Sequence, residues 1–199
     1  MRLMSSKSET TMKILWVVLG IILLVGLAFG GKFLSVRNEL ATQNEAIAGA
    51  WAQVDVALQR RADLIPNLVN TVKGFAAQEK SVIDSVTSAR AALGGARTPT
   101  ERIAANSQLD SALSRLLVVV ENYPNLKSNE NFLRLQDELA GTENRIAVER
   151  RKYNEVVQRY NTQIVLFPNN VIAAMSGFQR NDAYFKTDPG SRAVPKVAF

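Results

Sequence analysis

Apolar and polar positions along the chain change their rhythm twice. From Ile14 to Gly31 the sequence reads "ILWVVLGIILLVGLAFGG", 18 residues without a charge, bracketed by Lys13 and Lys32. A hydrocarbon core of about 30 Å needs roughly 17–25 apolar residues in a helix. Trp16 stands where an interfacial aromatic is expected. The competing reading is a cleaved signal peptide, with Ala28 and Gly30 as the small residues near the cut. Signal-peptide cores run about 7–15 residues, so the length predicts a retained transmembrane helix.

Beyond Lys32 the pattern becomes helical. Ile47, Trp51, Val54, Leu58, Ala62, Ile65, Val69, Val72 and Ala76 recur at steps of three and four. The seam holds its phase through Pro66, which predicts one helix bent at the proline rather than two helices. Leu64, Leu68 and Phe75 widen the apolar face, so this helix must touch more than one partner. Gly94-Gly95 supplies its stop, and Thr98, Pro99 and Glu101 fit N-cap, N1 and N3 of a capping box opening a second helix. That helix carries Leu109, Leu113, Leu116, Leu117 and Val120 and ends before Pro124.

A third helix runs from Ser128 towards Pro168, with Phe132, Leu135, Leu139, Thr142, Ile146, Glu149, Tyr153, Val156, Tyr160, Ile164 and Phe167 on its seam. Asn170–Phe178 is a shorter amphipathic piece, suited to capping the bundle or lying on a membrane. The alternation of a sheet is missing from the chain. The predicted fold is all-α, an antiparallel bundle of three long helices plus a short C-terminal one behind the transmembrane helix. By residue, 1–13 is a flank, 14–31 the span, 32–179 the bundle and 180–199 a mobile tail.

Composition then removes chemistry. Among 199 residues there is neither Cys nor His, which excludes disulfides, thiolate nucleophiles, Ser-His-Asp triads and HExxH zinc sites. No metal or other cofactor is expected. An enzyme would have to work with carboxylates and Arg or Lys alone, as with Glu143 or Glu149 and Arg150. Glu143 and Glu149 point about 120° apart on a helix and form no pair, so no catalysis is expected. The net charge of +6 is spread without a basic run longer than Arg150–Lys152, which speaks against nucleic acid.

Polar groups remain as candidates. Arg60, Asp63 and Asn67 lie opposite the first seam and read as a solvated face. Arg61 lies beside the seam, where its stem packs while its guanidinium seeks a carboxylate or carbonyl. On the third helix Gln136, Glu143, Arg150, Asn154 and Asn161 form a polar row, and Tyr153 and Tyr160 bury rings whose hydroxyls need partners. Glu149 requires a cation, with Arg145 the local and Arg61 the distant choice. A buried network that fixes helix register is favoured over a polar pocket between helices.

Three stretches, "AWAQVDVALQRRADLIPNLVNTVKGFA", "LLVVVENYPNLKSNENFLRLQDELAGTENRIAVERRKYNEVVQRYN" and "FPNNVIAAMSGF", closely resemble the LemA family of bacterial membrane proteins. Arg60, Arg61, Asp63, Pro66, Asn67, Glu121, Tyr123, Pro124, Glu143, Asn144, Arg145, Tyr153 and Asn154 match its pattern. The resemblance implies one N-terminal transmembrane helix and a bundle of long antiparallel helices, and it implies no activity, cofactor or binding residue. Three basic residues before the span (Arg2, Lys7, Lys13) against two just after it (Lys32, Arg37) lean towards a bundle outside the cytoplasmic membrane. The expected role is a membrane-anchored scaffold for other membrane or envelope proteins, for further copies of itself and for lipid. The alternative is a sensor that binds a peptide, lipid or small solute between helices.

Overall fold

The computed structural model describes residues 3–186. Among them the secondary structure is all helical: α1 (Leu3–Phe75), α2 (Lys80–Gly95), α3 (Pro99–Val120), the single turn α4 (Pro124–Lys127), α5 (Glu130–Val165) and α6 (Asn169–Ser176). The apolar stretch lies inside α1, which continues through Pro66 to Phe75. Its apolar side chains from Leu15 to Leu34, Phe33 excepted, are exposed, and none of its most apolar window is covered by protein. Large apolar side chains left bare over this length suit lipid rather than water.

The chain forms two compact units, one of residues up to Asn44 with Tyr160–Arg180, the other of Glu45–Arg159 with the segment from Asn181.

In the second unit, Trp51 of α1 meets Tyr153 of α5, while Arg60 reaches Glu138 and Arg61 reaches Glu143. Rising numbers on α1 pair with falling numbers on α5, so the two are antiparallel. Asp55 pairs with Arg102 and Arg61 with Asp110, which makes α3 parallel to α1. Arg90 of α2 donates from Nε to the Ala62 carbonyl at 2.9 Å. The arrangement is an up-down-up-down four-helix bundle. Val54, Leu58, Ile65, Leu68, Val86, Leu93, Leu109, Leu116, Phe132 and Ile146 form its buried core.

Four helices arise because the first helix stops where its seam ends and not at the glycine pair expected to close it. It ends at Phe75 instead of Gly94-Gly95, and α2 folds back from Lys80. Gly74 weakens the last turn of α1. The turn is tied from outside: the Tyr123 hydroxyl donates to Glu79 at 2.6 Å and accepts from Gln78 at 3.0 Å. Folding back lets Ile83, Val86, Ala89 and Leu93 reach the core, which a straight continuation would leave in water. Pro124 opens α4 after a turn at Glu121-Asn122.

Thr98 caps α3 as expected. Its hydroxyl accepts from the Glu101 N–H at 3.2 Å, and the Glu101 carboxylate accepts from the N–H groups of Arg97 and Thr98. Those backbone donors hold the Glu101 carboxyl below its ordinary range. Its folded value is depressed, so its contribution is present above the unfolded value and is lost as pH falls through the folded one. Thr98→Ala is expected to destabilise the chain by about 1 kcal/mol, read from the denaturant midpoint.

In the first unit, Val36 and Leu40 of α1 are buried together with Tyr160, Asn161, Ile172 and Ala173. The Tyr160 hydroxyl donates to the Gln179 carbonyl at 3.0 Å. Gly177, at φ 77°, closes α6 in the left-handed region that a side chain would resist. Two seam positions depart from expectation. On α5 Val157, not Val156, is the fully buried valine. Phe167 lies beyond the end of α5 and is 84% exposed.

Candidate functional site

One polar cluster of the second unit centres on Arg61. The α1 seam turns this residue inward one helical turn before Pro66, leaving it 7% exposed. Its Nη1 is ion-paired to Asp110 of α3 and lies 2.7 Å from Oε2 of Glu143 on α5. Asn106, itself buried, accepts from the same nitrogen at 3.5 Å and donates to Asp110 at 3.1 Å. One guanidinium therefore ties three helices. Its Nε is buried without a hydrogen-bond partner. The charge-assisted bond to Asp110 offsets the cost of burying the cation, while Glu143 Oε2 is a buried ion-pair partner that makes no hydrogen bond.

Beside the cluster is a cavity of about 240 Å³, lined mainly by Leu68, Leu113, Leu116, Phe132 and Leu139, with Arg61, Gln136 and Glu143 as its polar wall. Its lining is that of a site for an apolar group carrying a hydrogen-bond acceptor. The cluster already holds two carboxylates against one cation, so an anionic ligand would be repelled.

A second constellation in this unit fixes residues 181–186. Asn154 accepts from the Phe185 N–H at 3.0 Å and donates to the Phe185 carbonyl at 2.8 Å. The Phe185 ring stacks on Trp51 with centroids 6.1 Å apart and meets Tyr153 edge-on at 5.9 Å. The Arg150 guanidinium sits 4.7 Å from the centroid of the same ring as a cation–π pair. Burial pushes the Tyr153 phenol above its ordinary value. The segment expected to begin a mobile tail is thus bound, with Phe185 buried; the remainder of that tail, 187–199, lies outside the described residues.

The candidate residues separate accordingly. Arg61 and Glu143 come together at the cavity; Arg150, Tyr153 and Asn154 form the clasp on Phe185. Arg60 is exposed 3.5 Å from Glu138, Asp63 accepts from Gln59 at 2.8 Å, and Asn67 is exposed. These three form the wet face expected of them. Glu149 pairs with Lys152 at 3.0 Å rather than with Arg145 or Arg61, because Arg61 is taken by Asp110 and Glu143. Asn161 is buried in the first unit. Sequence reasoning missed Asn106, Asp110 and Phe185. The first two left a signal, a polar pair at i,i+4 flanking Leu109 on an apolar helix face. Among the described residues no group of acidic side chains is placed to hold a metal ion.

Fold and site define an all-α, membrane-associated chain whose apolar N-terminal helix leads into a helical bundle. The model of the LemA family matches residues 50–199, and the chain belongs to that family. Among curated proteins it is 28% identical over 188 residues to magnetosome protein MamQ 1 of Paramagnetospirillum magneticum, an alignment covering 81% of this chain and 69% of that one. It is 26% identical to magnetosome protein MamQ of Magnetospirillum gryphiswaldense, over 89% of this chain and 75% of the other. Protein LemA of Metamycoplasma hominis is 26% identical, over 78% and 71%. None of these names denotes an enzyme.

Proposed function

We propose that this chain is a single-pass, membrane-tethered interaction module, without catalytic activity, whose bundle docks other membrane or envelope proteins or further copies of itself. The observation that carries the reading is where the second unit spends its side chains. Its buried ionic groups are committed to tying helices, while Val118 remains 71% exposed and Val56 and Leu133 are exposed with it. Large apolar side chains left outside a well-packed bundle suit contact with protein. The relatives named for the magnetosome support an association with membranes, and the basic residues before the span support a bundle outside the cytoplasmic membrane.

Photo-crosslinkers placed at Val118 and Leu133 in membranes are expected to yield the same discrete adducts, of fixed stoichiometry, from each position. Recovery of uncrosslinked monomer alone from both positions overturns the reading.

The cavity favours a second reading, a binding module for a small neutral amphiphile. A dry apolar cavity of about 150 Å³ takes up benzene, so the space beside Arg61 admits a larger group. Octanamide, which offers Arg61 Nε a carbonyl, is expected to raise the Tm of the full chain in a concentration-dependent way. It is expected to leave unchanged a Leu113→Phe variant, whose added ring fills the space. Equal response of both proteins rules the cavity out.

A further inference from the structure

The first unit joins the transmembrane segment to a corner of chain whose apolar side chains face outward. At the end of α5 and in α6, Val165, Leu166, Phe167, Val171 and Met175 are all exposed, Phe167 by 84% and Met175 by 67%. The opposite side of α6, Ile172 and Ala173, is buried. Capping the unit therefore uses only one face of the helix and leaves a second apolar face bare. Scattered exposed apolar residues are ordinary; five within eleven residues, around a tight corner, are a patch.

What lies against this patch follows from the unit itself. α1 leaves the unit after Asn44 and α5 enters it at Tyr160, so both helices cross at the same end. From that end α5 and the bare corner run back alongside α1 towards the span. At about 1.5 Å per residue, the end of the span at Gly31 lies roughly 20 Å from the crossing and the end of α5 at Val165 roughly 8 Å, with Leu166 and Phe167 reaching beyond it. The difference, about 12 Å less the reach of Leu166 and Phe167, brings the corner to the headgroup layer and not to the hydrocarbon. Charge agrees. Tyr160–Arg180 contains no acidic residue, and the unit's segments after the span carry Lys32, Arg37 and Arg180 against Glu39 alone. Basic side chains beside an apolar face suit an anionic lipid surface.

We propose that the α5–α6 corner, with Phe167 at its tip, is a membrane foot that inserts into the interface of the bilayer crossed by α1. The foot goes beyond the docking of partner proteins and needs only the anchor. It gives the chain a second lipid contact beside the span, and with it a preference for anionic headgroups.

Because the chain has no cysteine, single labels test this directly. Full-length Phe167→Cys, Met175→Cys and Leu23→Cys variants carry an environment-sensitive fluorophore in vesicles of phosphatidylcholine with phosphatidylglycerol. Quenchers are iodide in the water, and nitroxides on lipid headgroups or at mid-chain. The Leu23 probe is expected to be quenched by the mid-chain nitroxide, which reports insertion of the span. Probes at 167 and 175 are expected to be blue-shifted, shielded from iodide and quenched several-fold more by the headgroup nitroxide than by the mid-chain one. The shift at these two positions is expected to shrink in vesicles of phosphatidylcholine alone. A quenched Leu23 probe with iodide-accessible probes at 167 and 175 overturns the foot and leaves the anchor standing. Iodide access at all three positions overturns both. Phe167 and Met175 are exposed, so neither replacement disturbs packing.

Discussion

Arg61→Ala is expected to cost about 3 kcal/mol, the range for removing one partner of a buried ion pair. The reason is geometric. The guanidinium meets Asp110 on α3 and Glu143 on α5 from its place on α1, so its loss releases two helix contacts and leaves Asn106 buried with half its network gone. Both acidic side chains are partly exposed, which holds the cost at the lower end of the range although Glu143 Oε2 itself is buried. Arg61→Met, which keeps the stem against the core, is expected to lose less. Arg61→Lys is not expected to rescue, since an ammonium cannot reproduce the planar fork. Thermal and denaturant unfolding of the full chain measure all three. Arg60→Ala is the neighbouring control, expected within about 0.5 kcal/mol of the parent because its pair with Glu138 is solvated.

Tyr153→Ala is expected to be equally severe, about 3 kcal/mol or more, as for other fully buried aromatic side chains. It has a second consequence that a simple cavity would not produce. Tyr153 is one wall of the slot that holds Phe185, so residues 181–186 are expected to become sensitive to protease under conditions where the bundle is still folded. Asn154→Leu should free the same segment with a smaller loss of stability, by removing both backbone hydrogen bonds. Alkali discriminates further. Burial raises the folded phenol value of Tyr153, so its contribution is intact below the unfolded value near 10 and is lost as pH rises through the folded one. Tyr153→Phe should lack that alkaline loss.

Much of this architecture was written in local chemistry. An uncharged run of span length, three-four spacing through Pro66 and a Thr-Pro-Thr-Glu start signal each depend on neighbours in sequence, and each is found where the pattern placed it. Arg61 was legible for the same reason, as a long cation beside a seam. What could not be read was long-range. The end of α1 at Phe75 depends on Tyr123 reaching Glu79, and Phe185 is bound by residues on two distant helices. The pairing of Glu149 was missed although it is local: Lys152, three residues on along α5, takes the carboxylate, while Arg61 is held by Asp110 and Glu143. Asp110 was within reach: Asn106 and Asp110 flank Leu109 on a face otherwise apolar, and such a pair asks for a buried cation.

The connectivity has a consequence for the order of assembly. The bonds that hold α1 span increasing lengths of chain: 28 residues from Ala62 to Arg90, 49 from Arg61 to Asp110, and 78 from Arg60 to Glu138. Closing a longer loop costs more entropy, and a nascent chain presents its segments in sequence. The α1–α2–α3 part can therefore assemble before α5 has been synthesised, with one oily side uncovered. Until that last helix arrives, the half-built bundle is the species a chaperone or a protease would meet.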